Sequence, residues 1–284
     1  MRKIALFFAF ISCISISFSQ KVHLNLFAGS SFYEGDLQSY FFKFTQPCIA
    51  LSAGLSYQLS DRISIRSGIS LASVTADDKK NPKVYYRNLN FKSKIQELHL
   101  AAEYYLFNLE NIRFSPYFFG GIAVYHFNPY TKDTAGTRYF LKPLSTEGQG
   151  FYPGRTPYKL TQFSLPFGGG IKYALTNDIK IGIEVGMRKL FTDYLDDVST
   201  TYVDPAILLT NRGPKAVELA FRGGEIDKNE PYPGEYSKRG EPRNRDWYYF
   251  TGITVSYRFP AKGEINDALD RPGIRKKYIP DCPQ

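Results

Sequence analysis

Strand-like segments separated by alternately short and long connections constrain this chain more than any other feature of its sequence. Alternation of apolar and polar residues with a period of two marks eight segments, near 21–30, 47–59, 62–75, 95–107, 112–127, 158–175, 179–191 and 246–259. Their connections run long, short, long, short, long, short, long. An outer-membrane barrel has short turns on its periplasmic side and long loops outside, and an even strand number returns both termini to the periplasm. The rhythm predicts an all-β fold, a transmembrane up-and-down antiparallel β-barrel of eight strands with long extracellular loops. Residues 137–144 and the alternation of Val217, Leu219 and Phe221 are candidates for two more strands, which would give ten and keep the parity.

Alternation by itself does not choose between a membrane barrel and a soluble sandwich. Three features favour lipid. Tyr57, Tyr104, Tyr173 and Tyr257 fall on the apolar face near the expected periplasmic ends of their strands, as an aromatic girdle requires. The opposite face carries Arg66, Glu103, Lys172, Glu184, Arg188 and Arg258, which can pair across a narrow lumen but would be costly in a dry core. Glycines recur on that polar face, at Gly54, Gly68, Gly168, Gly170, Gly182, Gly186 and Gly252, where bulky residues would crowd a small bore. In the fifth segment both faces are apolar or aromatic, so its orientation is open.

The ends divide the chain further. Arg2 and Lys3 precede an apolar run from 4 to 18 with small residues at Ser17 and Ser19, the pattern of a signal peptide spanning 1–19. No later apolar run is long enough for a transmembrane helix, so any span is built from strands. The barrel is expected over 20–259, followed by a Pro-rich, charged periplasmic tail over 260–284. Cys48 and Cys282 remain after cleavage and are expected on opposite sides of the membrane, unbridged. The net charge of +9 favours phosphates of outer-membrane lipid and lipopolysaccharide outside, or an acidic protein partner inside. No nucleic-acid module accompanies it.

Chemistry is sparse. Asp193, Asp196 and Asp197 lie within five residues but lack the ligand alternation and central glycine of a calcium loop, so they read as local backbone caps. The histidines are His23, His99 and His126; of these only His126 sits near the outer rim, and no serine motif accompanies it. Gly168, Gly169 and Gly170 lie inside a strand and precede no helix, which is barrel geometry and not a phosphate cradle. The reading is a non-enzymatic barrel with no cofactor, no metal and no small-molecule substrate. A lipid-modifying barrel enzyme, a small adhesin and a porin are the alternatives.

Several motifs together resemble a known family. They are the run from 29 to 37, with Tyr33, Gly35, Asp36 and Leu37; the stretch Pro116, Tyr117, Phe118, Phe119, Gly120, Gly121; 165–168; and the run from 191 to 202, with Asp193, Tyr194, Asp196, Asp197 and Tyr202. This set is similar to the PorG-like outer-membrane barrels of Bacteroidetes. The last strand also ends in Tyr257, Arg258 and Phe259, which resembles the terminal aromatic signal for barrel insertion, with Tyr257 and Phe259 as its carriers. The resemblance implies kinship to the type IX secretion and gliding machinery, with periplasmic secretion-ring proteins as partners. An eight-stranded bore is filled by its own side chains, so such a barrel would anchor a complex and not conduct a folded protein.

Overall fold

In the computed structural model, residues 22–38 and 46–259 are described. The expected signal peptide, the tail and Cys282 lie outside them. Eight strands close an antiparallel barrel: β1 (Val22–Glu34), β2 (Cys48–Ser60), β3 (Ile63–Asp77), β4 (Asn90–Tyr105), β5 (Phe114–Lys132), β7 (Thr161–Ala174), β8 (Ile179–Leu190) and β9 (Trp247–Arg258), with a short β6 (Arg138–Phe140) outside the ring. Each pairs with its sequence neighbour in the barrel, β5 with β7 included, and β1 pairs with β9 from Glu34↔Trp247 to His23↔Arg258 to close the ring. The short connections, at 61–62, 106–113 and 175–178, share one end with both barrel termini, as the alternation of lengths requires.

The ten-strand alternative fails for two local reasons. β6 is a three-residue strand that pairs only with the outer end of β5, too short to cross a bilayer. Residues Val217 and Leu219 belong to a helix, α2 (Pro214–Ala220), which follows α1 (Pro205–Arg212). Both helices begin with proline, pre-set for a first helical turn, and Asp204 caps α1 by accepting from the Ala206 and Ile207 amides at 2.7 and 3.1 Å. An alternation of three apolar residues is too short to outweigh those signals.

The two faces of every strand meet different surroundings. Outward-facing Ile49, Leu55, Ile69, Leu98, Phe163 and Ile183 are half exposed or more, Ile49 at 72%. The lumen-facing Glu97, Glu103, Lys172 and Arg188 are each at most 4% exposed. This inversion of the usual order forms a continuous apolar belt far beyond the few hundred Å² that a water-soluble monomer presents. Among the described residues no helix is long and apolar enough to cross a membrane, so the strands do it. A closed strand cylinder clad in apolar side chains is an outer-membrane β-barrel, because closure satisfies every backbone group without water.

Register also settles β5. Val124 opposes Leu98, Ile122 opposes Leu100 and Phe118 opposes Tyr104, and directly opposed residues share a face. Tyr117, Phe119, Ala123, Tyr125 and Phe127 therefore fill the bore, and all are buried. The inner face of this strand is aromatic because its rings fill the bore, Tyr117 and Phe119 beside Glu184 and Arg66 and Tyr125 and Phe127 in an apolar cluster, which is why its alternation is unreadable.

Candidate functional site

Along the barrel axis the interior is built in three tiers. Nearest the turns is a polar cup of about 540 Å³, bordered by His23, Glu110, Arg113, Lys180 and Arg258. Arg258 does not reach across the lumen as its place in the alternation suggested; it pairs with Asp178 of the adjacent turn at 2.7 Å, because the strand ends there at the rim.

The middle tier is a bolt of buried ions. The Arg66 guanidinium donates to Glu103 at 2.9 Å and to both carboxylate oxygens of Glu184 at 2.6 and 3.1 Å. Lys172 donates to Glu103 at 3.1 Å and to the Tyr105 hydroxyl at 2.7 Å, while the Tyr117 hydroxyl donates to Glu184. One layer further outward, Arg188 donates to both oxygens of Glu97 at 3.2 Å, and Tyr248 donates to Glu97 at 2.6 Å. Arg66 and Arg188 also lie over the Phe119 and Phe250 rings, 4.0 and 3.9 Å from their centroids. A void of about 40 Å³ remains beside Arg66 and Glu184, room for little more than water. Five of the six charges picked from the sequence meet here. Glu97 was missed, although its position just before Leu98 in the alternation placed it on the inner face.

The outer tier is a hydrophobic core capped by folded loops. Tyr33, Leu37, Phe91, Ile95, Tyr125 and Phe127 pack within it, joined by Leu195 and Val198 from the long loop after β8. Most of the family-motif residues converge in this cap. The Tyr33 hydroxyl lies 2.6 Å from Asp196 and 3.0 Å from Asp246. A phenol carries one hydrogen, so both contacts are favourable when one of the two acids is protonated and donates back. Burial first, and then the neighbouring carboxylates, push the Asp196 and Asp246 carboxyls well above the usual range. Gly35 is required beside them: a Cβ there would fall 2.0 Å from Asp246 Oδ1 and from the Tyr33 hydroxyl.

Asp36 accepts from the Glu241 amide at 3.0 Å, and its own carbonyl accepts from Arg87 at 3.2 Å; burial raises its carboxyl to about 6. Asp197 accepts from the Tyr158 hydroxyl at 2.7 Å, and burial raises it to about 6. Tyr194 stacks on Tyr158 with centroids 4.8 Å apart and donates to Glu147, and Tyr202 meets Phe221 edge-on. Arg239, invisible to motif reasoning, ties the loops together by donating to Glu147 at 2.9 Å and to the Asp197 carbonyl at 2.6 Å. Glu147 in turn accepts from the Ser199 and Thr200 amides. Asp193 is buried, and neither of its oxygens meets a donor in good geometry. Burial and the charges of Asp196 and Asp36 raise it to about 9. Among the described residues no group of three or more His, Cys, Asp or Glu is arranged to hold a metal ion.

The remaining motif residues stay in the wall and at the rim. Tyr117 belongs to the bolt; Pro116 and Gly120 face outward; a Cβ on Gly121 would fall 2.1 Å from the Leu100 carbonyl oxygen, so that position sets the close approach of β4 and β5. Tyr257 and Phe259 sit at the turn end, both 40% exposed with centroids 6.0 Å apart. His126 turns its ring to the outside of the barrel, where Nδ1 lies 2.9 Å from Thr161 Oγ1. Cys48 is a free thiol.

The fold is similar to that of Neisserial surface protein A, with 10% identity and a TM-score of 0.42 over 84% of this chain and 97% of that one. It is also similar to the attachment invasion locus protein Ail of Yersinia pestis, with 8% identity and a TM-score of 0.38 over 84% and 98%. For the outer membrane protein OprG of Pseudomonas aeruginosa the values are 12% and 0.38 over 86% and 100%. No curated protein sequence matches the chain. Residues 2–204 match the family described as a domain of unknown function, DUF6089, and the chain belongs to that family.

Proposed function

We propose that this protein is a non-conducting, non-enzymatic barrel that anchors a periplasmic assembly to the outer membrane. The observation that carries the reading is the filling of the bore at two levels, by the ionic bolt and by the folded cap. A barrel so filled works through its surfaces. Its periplasmic face offers the short turns and the segment that continues beyond Phe259. The resemblance of the cap and wall motifs to PorG-like barrels supports a secretion-ring protein of the type IX machinery as partner. Lipopolysaccharide and outer-membrane lipid surround the belt and the basic loops in this reading.

Against the enzyme alternative, His126 faces outward beside Thr161, and among the described residues no carboxylate is hydrogen-bonded to it. The test of anchoring is recovery of periplasmic proteins on the tagged full chain and on a chain ending at Phe259, after crosslinking in intact cells. Recovery of ring subunits that falls with truncation supports the reading. Recovery of none with the full chain sinks it.

A further inference from the structure

The outer rim of the barrel is basic on one side. Directly opposed residues share a face, so Lys94↔Asn128 and Lys92↔Tyr130 continue outward in line with Leu98↔Val124 and Leu100↔Ile122 of the apolar belt. β6 extends the same face, with Lys132 opposite Arg138 and Tyr130 opposite Phe140. The Arg138 guanidinium lies 4.5 Å from the Tyr130 ring centroid, and Phe140 meets that ring edge-on. They cover Tyr130, which is only 8% exposed although it points away from the bore. The short β6 thus brings an arginine onto the ring that Lys92 opposes.

Lys92, Lys94, Lys132 and Arg138 are exposed and form no ion pair among the described residues. Two acids border them, and both are engaged. Asp77 accepts from the Lys79 amide at 2.9 Å, and Asp133 accepts from Lys215 at 3.1 Å. The opposite side of the rim differs: β1 and β9 turn Glu34 and Trp247 outward, β2 presents Ile49, and Lys189 of β8 lies 6.0 Å from the Trp247 ring centroid. The cations are therefore gathered on one wall and not spread around the ring.

Their height identifies what they meet. Lys94 lies ten residues along β4 from Tyr104 of the turn-end girdle; at about 3.4 Å per residue and a tilt of about 40°, the axial separation is about 26 Å. The apolar band of an outer-membrane barrel is about 25 Å tall, so Lys92 and Lys94 stand where outer-leaflet acyl chains end and head groups begin. Below them Leu98, Leu100, Ile122 and Val124 are each at least 38% exposed. Cations above an apolar wall match a molecule that carries phosphate above acyl chains, whereas a free anion would engage only the upper half of the surface.

We propose that Lys92, Lys94 and Arg138 form a binding site for the phosphate of an outer-leaflet lipid whose acyl chains lie along Leu98, Leu100, Ile122 and Val124. In a leaflet built on lipopolysaccharide that lipid is its phosphorylated lipid A. The site rests on the lipid contacts of the proposed function and not on its periplasmic partner, so failed recovery of ring proteins leaves it standing.

In the test, the purified full chain in neutral detergent is titrated with diphosphorylated lipid A, with the same lipid stripped of phosphate, and with inorganic phosphate. Bound lipid is read by native mass spectrometry. The chain should retain the phosphorylated lipid in preference to the stripped one. Lys92→Glu, Lys94→Glu and Arg138→Glu together should weaken retention about a hundredfold. The same charge change at Arg62, Arg113 and Lys189 should leave it unchanged, as should Lys92→Arg with Lys94→Arg, which separates loss of charge at this wall from loss of net charge or of folding. Equal retention by the reversed and parent chains, or no preference for phosphate on the lipid, overturns the proposal. Displacement of the lipid by equimolar inorganic phosphate overturns it too, because the site would then take a free anion.

Discussion

At the scale of single residues the cap stores acidity. Asp193 is the clearest case: its carboxyl is raised to about 9 by burial and by Asp196 and Asp36, against about 3.9 for the unfolded chain. Between those values the folded state holds a proton that the unfolded state has released, so stability falls as pH rises. The contribution is fully present below about pH 4 and is lost progressively up to about pH 9. Asp36 and Asp197, raised to about 6, act in the same direction over a narrower window. Hydrogen exchange of the outer loops should therefore be slower at pH 5 than at pH 8, once the intrinsic effect of pH on exchange is divided out. Asp193→Asn, which cannot ionise, should protect the cap at pH 8 and flatten the dependence. Equal protection of the parent at both pH values would contradict the assignment.

Among elements, the ion pairs act as ties between strands that are not neighbours in the sheet. Arg66 on β3 reaches Glu184 on β8, and Arg188 on β8 reaches Glu97 on β4, so opposite walls are joined through the bore. Glu97→Ala leaves the Arg188 guanidinium buried without its carboxylate, a loss of about 3–5 kcal/mol for a buried pair broken on one side. Arg188→Leu in the same chain should recover much of it, since the orphaned charge is then gone. Urea unfolding in lipid vesicles measures both. The alternation makes the inward set legible, including the charges, but not which inward residue meets which. That depends on register and on the curvature of the closed sheet. At the seam, Gly29 opposes Gly252, and a Cβ on Gly252 would fall 2.4 Å from the Ala28 carbonyl oxygen. In the sequence Gly252 is only an inner-face glycine; its close approach to β1 is a property of the closed ring.

For the whole molecule, the decisive fact is that the bore is occupied from the middle tier outward. Planar bilayers containing the purified chain should show no steady, stepwise conductance, and a stable open level would exclude a filled barrel. The cap gives the same answer from outside: Arg239, Glu147 and Asp197 join loops separated by dozens of residues into one packed layer. The motif residues Tyr33, Asp36, Asp193 and Asp196 are separate features in the sequence, and they form one cluster only because the strands bring the end of β1 and the first and last outer loops together.

The amino-acid order alone determined the up-and-down barrel, the alternation of short turns and long loops and the face of each clear strand, because those follow from local periodicity and connection length; the choice of eight strands over ten came from the structure. It also selected most of the lumen charges, since a period of two assigns every residue to one side. The partners of those charges, the inward aromatic face of β5 and the proton-holding cap were decided by tertiary structure. Each arises from groups distant in sequence meeting where water is excluded, and local pattern carries no information about that encounter.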